Sequence, residues 1–164
     1  MALDVRMFGD PVLKTRAAPV ESFDDALAHL AEDMLVTMHE HEGVGLAANQ
    51  VGRLKRVLVA AMEDEQYVIV NPVVEEAAET TERALEGCLS IPGIQVEVER
   101  PTGITISGQN ATGAPLRIET LGLLARILQH EMDHLDGVLI LDRTDRESRK
   151  NAMREIRERM LEER

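Results

Sequence analysis

Between Gly52 and Leu121 the sequence breaks into short apolar or alternating runs, while on either side its apolar residues recur at helical spacing. That change of period confines the chain to an α+β architecture, with helices at both ends and strands between them. Ser22 reads as an N-cap with Asp24 and Asp25 in the first turn. Leu27, Leu30, Met34 and Met38 then share one helical face, and Gly43 is placed to end the helix. Residues 56–60 and 67–70 read as strands, the second stopped by Asn71-Pro72, and the acidic run 75–82 reads as a solvated loop. Residues 96–100, 103–107 and 116–119 read as further strands, the last two around a turn containing Asn110 and Gly113. Helical spacing resumes at Leu121 and ends near Gly137. Residues 138–141 then read as one more short strand, and 146–164 as a surface helix with Met153, Ile156 and Met160 facing inward. The expected fold is α+β, with mixed or antiparallel sheets around a central helix, in one domain spanning residues 1–164.

A chain of 164 residues is long enough to hide roughly 70% of its unfolded surface without disulfide staples. Its only aromatic residues are Phe8, Phe23 and Tyr67, so the core must be aliphatic, and stacking platforms for single-stranded nucleic acid are excluded. The net charge of −12 argues against DNA as a partner, because phosphate contacts need clustered Lys and Arg. Cys88 is the single cysteine and can form no internal disulfide. The N-terminus lacks a basic segment followed by an apolar one, and the run 57–62 is far short of the roughly 18 apolar residues that span a bilayer. These features predict a cytoplasmic protein without membrane partners; a monomer is the expected state.

Three segments carry chemistry. In His130-Glu131-Met132-Asp133-His134 the two histidines fall one helical turn apart and can bind one metal ion, with Glu131 offset by about 100° to handle protons. Ile127 and Leu123 continue the histidine face. The His39/His41 pair, two residues apart on a helix, faces different directions and reads as solvated. No third ligand of the usual downstream kinds follows His134, and Glu155 and Glu158 belong to the surface tail. Cys88, in Glu86-Gly87-Cys88-Leu89-Ser90, is the better candidate, because a thiolate and two imidazoles leave one coordination position open, the design of a catalytic site. A lone cysteine is otherwise most often a small buried hydrophobe. The segment from Gly43 to Gly52 lacks the Lys-Ser/Thr of a phosphate loop. Its small residues instead permit close backbone approach, with Gln50 offering an amide donor.

Taken together, Gly43-Val44-Gly45-Leu46-Ala47-Ala48-Asn49-Gln50, Glu86-Gly87-Cys88-Leu89-Ser90 and His130-Glu131-Met132-Asp133-His134 resemble, in order, the motifs GxGxAAxQ, EGCLS and HExDH of the peptide deformylase family. The resemblance implies a metal-dependent hydrolase that removes the formyl group from the N-terminal formylmethionine of new polypeptides. It implies Cys88, His130 and His134 as metal ligands, with Fe2+ as the working ion and Zn2+, Ni2+ or Co2+ able to replace it. Glu131 is the implied proton carrier, Gln50 and the backbone N–H of Leu89 the oxyanion donors, and Val44, Gly45, Leu123 and Ile127 the methionine pocket. Glu86 reads either as a support for a ligand or as a surface ion-pair partner. Gln95 and Arg126 stand where some members carry an arginine and an apolar residue, respectively. The partners implied are N-formyl-Met nascent peptides and, transiently, the ribosome. The docking element would be the C-terminal helix, where Arg149, Lys150, Arg154, Arg157, Arg159 and Arg164 alternate with glutamates. Two other readings remain. An HExxH metallopeptidase leaves the EGCLS segment and Gln50 unexplained, and a non-catalytic metal-binding module calls for a fourth protein ligand.

Overall fold

The computed structural model describes residues 1–163, so Arg164 of the tail lies outside the described residues. The first helix, α1 (Asp25–Glu40), is capped by Asp24, whose carboxylate accepts from the Leu27 N–H, so the cap lies two residues beyond the expected Ser22. The helix stops three residues before Gly43, whose N–H still donates to Met38 O just past the last turn. Strands β1 (Gly45–Ala47), β2 (Val57–Met62), β3 (Glu65–Ala77), β6 (Gly103–Gln109) and β7 (Pro115–Leu121) form one antiparallel sheet in the order β1-β2-β3-β6-β7.

Strand β3 corrects two expectations. Asn71-Pro72 does not stop it but forms a bulge, where the register shifts between Val70 and Val73 and Asn71 takes a φ of 53°. A bulge tolerates proline because no ladder hydrogen bond is required of it. The Asn71 side chain compensates, accepting from Val20 N–H and donating to Val20 O and Gln109 Oε1. The acidic run is therefore largely strand, split between the end of β3 and the start of β4 (Thr81–Cys88), which pairs with β5 (Ile91–Pro101) in a separate two-stranded sheet.

Strand β2 shows how the layers are assembled. Successive side chains point to opposite faces. Val57 and Val59 join Leu27, Leu30, Met34 and Met38 of α1 on one side. Leu58 and Ala60 meet Leu124, Ala125, Ile127 and Leu128 of α2 (Gly122–Leu135) on the other. Helix α2 is thereby held against the sheet, and its opposite flank reaches β5. The expected strand at 138–141 is instead a loop leading into one helical turn, α3 (Ile140–Arg143), in which Asp142 accepts from the Leu139 N–H at 2.9 Å. The last helix, α4 (Arg146–Glu162), packs Ala152, Met153 and Ile156 on Ile91, Ile94, Val96 and Val98 of β5. Met160 does not join that stripe and is 56% exposed, because α4 has by then run past the apolar face of β5.

Candidate metal centre

Helix α2 carries His130 and His134 toward the end of β4 and Glu131 toward Gly45 of β1, and all three are buried. Cys88 arrives as the last residue of β4, where the register slips from Gly87 opposite Gln95 to Cys88 opposite Ile91. The Nε2 atoms of His130 and His134 lie 3.1 Å apart, and Cys88 Sγ lies 3.4 Å from His134 Nε2. All three candidate ligand atoms fall within 4.8 Å of one another. Such separations match those subtended by a tetrahedral ion with bonds of about 2.0–2.3 Å to nitrogen and sulfur.

The surrounding groups fit a cation. His130 Nδ1 lies 2.9 Å from Glu86 Oε1, so the ring donates through Nδ1 and presents the lone pair of Nε2 to the cluster. Burial pushes the Glu86 carboxyl up, but hydrogen bonds from Arg100 and His130 outweigh it and hold the pKa at about 2. Burial disfavours charge on His130, yet Glu131, Cys88 and Glu86 together hold its pKa well above the ordinary value; burial and His130 push His134 well below it. Glu86 therefore both backs the His130 ring and is a buried ion-pair partner, clasped by Arg100 at 2.7 and 2.9 Å and by Arg126 at 2.6 Å.

Glu131 is buried, and burial pushes its carboxyl up to about 7. Its Oε1 has no hydrogen-bond partner among the described residues. Space for this carboxylate comes from Gly45 in edge strand β1, where an added Cβ would collide with it and come within 2.9 Å of Glu131 Cδ. Gln50 sits in the 3₁₀ turn that follows β1. Its Oε1 accepts from Ala47 N–H at 3.0 Å, which turns Nε2 toward Ser90 Oγ at 3.1 Å and Cys88 Sγ at 3.5 Å.

These groups open on a cleft of about 630 Å³. Of the expected pocket residues, Val44, Gly45, Leu123 and Ile127 all line it, as do Leu89, Gln95 and Arg126. Leu123 is 59% exposed and so is a cleft residue rather than core, while the buried Ile127 belongs to both. His41 also reaches the cleft, whereas His39 lies beside Gln66 on the surface.

Sequence reasoning missed Arg100 and gave no role to Asp133 or Ser90, although both stand inside the motifs it singled out. Asp133 accepts from Arg100 at 2.8 Å and from Arg143 at 2.9 and 3.1 Å, tying α2 to β5 and α3. A signal for Arg100 existed: it occupies the inward position of the alternation Val96, Val98, Arg100, and a buried arginine requires acidic partners.

The polypeptide deformylase family model matches residues 2–150. Peptide deformylase 1 of Corynebacterium efficiens is 50% identical over 161 residues, covering 94% of each chain. The crystal structure of peptide deformylase from Thermotoga maritima superposes with a TM-score of 0.87 at 46% identity, covering 88% of this chain and 99% of that one. The corresponding structure from Legionella pneumophila gives 0.93 at 37% identity, covering 100% and 99%. Because the match takes in the two histidines of α2, the cysteine ending β4 and the glutamine after β1, the chain belongs to the peptide deformylase family.

Proposed function

We propose the following division of labour among the residues of this peptide deformylase, a hydrolase that removes the formyl group from the N-terminal formylmethionine of newly synthesised polypeptides and releases formate. The observation that carries it is the meeting of Cys88, His130 and His134 within 4.8 Å of one another, with Gln50 beside Cys88, and with Cys88, His130, Gln50 and Glu131 all lining one cleft. Cys88, His130 and His134 would hold one divalent ion, Fe2+ in our reading, with Zn2+, Ni2+ or Co2+ as substitutes that the same thiolate–imidazole set accepts. Such an ion supplies a Lewis acid that makes water nucleophilic at neutral pH.

The chain's own groups do the rest. Gln50 Nε2, held by Ala47 and Ser90, donates to the formyl oxygen as it gains negative charge, and the Leu89 backbone N–H donates beside it. Glu131, buried and with an oxygen free of protein partners among the described residues, takes the proton from water and returns it to the departing amine nitrogen. Val44, Gly45, Leu123 and Ile127 receive the methionine side chain in the apolar part of the cleft. Glu86 orients His130, and Arg100 in turn holds Glu86.

We take the enzyme to be a monomer of one domain. We place the enzyme in the cytoplasm because its substrate class, nascent formylated polypeptides, is made there. The outer face of α4, with exposed Arg154 and Arg157, is the proposed ribosome contact. Truncating α4 would also strip Ala152, Met153 and Ile156 from β5, so charge reversal at Arg154 and Arg157 is the cleaner test of co-sedimentation. For the reaction, anaerobic purification with metal analysis and a formyl-Met peptide assay is decisive. One divalent ion per chain and equal yields of formate and free amine are expected; a metal-loaded chain that releases no formate overturns the assignment.

A further inference from the structure

We propose that Arg159, on α4 and outside the residues matched by the family model, is a positioning residue for the peptide-binding cleft. The proposal rests on the deformylase reading above. In the β4–β5 hairpin Cys88 pairs with Ile91 and Gly87 with Gln95, so Pro92, Gly93 and Ile94 have no partner residue in β4. Pro92 has no N–H to donate in any case. This stretch of backbone is the part of the hairpin that the ladder does not hold, and Pro92 and Gly93 form part of the cleft wall.

Arg159 supplies a substitute for the missing ladder. Its guanidinium donates to Pro92 O and to Gly93 O, each at 3.4 Å, from outside the cleft lining. Glu155, one turn earlier on α4, accepts from the same group at 3.0 Å and orients it. Gly93 has a φ of +77°, and a Cβ there would run into the Arg159 guanidinium, so the arginine fills the space that a side chain at 93 would need.

This contact is not the main anchor of the helix. Helix α4 is anchored by Ala152, Met153 and Ile156. The Arg159–Glu155 pair is about half exposed on both sides, where ion pairs add little stability. What the arginine contributes is the placement of two consecutive carbonyls in the cleft wall. Cys88, His130, His134 and Glu131 are not touched by it, so its loss weakens binding of the peptide without altering the chemical step. A change of that kind raises KM and leaves kcat in place.

The test compares wild type, Arg159→Ala and Arg159→Lys on a formyl-Met tripeptide, with hydrogen exchange followed across residues 89–94. In Arg159→Ala, KM is expected to rise about three- to fivefold with kcat within about twofold. The Gly93 and Ile94 amides should exchange faster by a similar factor, at unchanged Tm. Arg159→Lys, which keeps one donor, should recover part of both effects. An unchanged KM in an active background overturns the positioning role, whatever the exchange shows. A KM rise accompanied by lower Tm and lost α4 helicity also overturns it, by assigning Arg159 a structural role. A wild type that releases no formate overturns the deformylase reading, and this proposal with it.

Discussion

Glu86 accepts from His130 Nδ1 at 2.9 Å while Arg100 grips the same carboxylate from β5 at 2.7 and 2.9 Å. A strand thus fixes the tautomer of a ring on a helix. Replacing Glu86 by Gln should lower metal affinity by about 10- to 100-fold, the scale for losing a carboxylate behind a histidine ligand. The same change leaves Arg100 short of charge compensation in a buried position, so about 3 kcal/mol of stability should go with it. Metal titration by competing chelator and urea denaturation measure the two effects separately.

Gly45 and Glu131 form a second pair in which the absence of a side chain is the functional feature. Gly45→Ala should displace the Glu131 carboxylate and reduce turnover while the ion stays bound. Glu131→Gln should retain the ion too and lose about 10²- to 10⁴-fold in kcat, since the amide cannot accept and return a proton. Metal content by elemental analysis, read alongside kcat, separates these variants from ligand mutants.

Cys88→Ala removes one of the three proposed ligand atoms at the end of a strand whose pairing does not involve the sulfur. The circular dichroism spectrum should match that of wild type. Bound metal and deformylation should both fall, because an imidazole pair alone holds a divalent ion weakly. Full metal content in this variant would remove Cys88 from the ligand set.

Asp142 predicts a limb of the acid stability curve. Burial pushes its carboxyl up, but hydrogen bonds from Lys14 and the Leu139 N–H outweigh this and hold its pKa below the ordinary 3.8. A carboxyl depressed in the folded state contributes stability that is fully present above 3.8 and disappears as pH falls through the folded value. Asp142→Asn should therefore lower Tm at pH 7 and flatten its decline below about pH 4 relative to wild type. Thermal melts across that range give the comparison.

Local pattern in the sequence determined a great deal of this protein. Residues 56–60 read as a strand, which the structure places at Val57–Met62 with Val57–Ala60 buried, and Leu27, Leu30, Met34 and Met38 read as one helical face, because side-chain period follows directly from backbone geometry. The one-turn spacing of His130 and His134 likewise made a shared ion possible before any packing was known. Local pattern failed where a side chain from far along the chain supplied what the local segment lacked. Asn71-Pro72 looks like a strand terminator until Val20, 51 residues away, satisfies the bulge. Residues 138–141 look like a strand until Asp142 folds back on Leu139 and Ile140 and Leu141 find β5.

At the site the division is the same. Residue types and motif order named the residues proposed as ligands, proton carrier and amide donor. Only the tertiary structure decided that Glu86 sits behind His130, that Arg100 and Asp133 lock the hairpin to the helix, and that Gly45 makes room for Glu131. These relationships join β1, β4, β5 and α2 across sequence separations that carry no periodic signal. They exist because buried charges must find partners and close-packed atoms cannot overlap, and both conditions are met only once the elements are brought together.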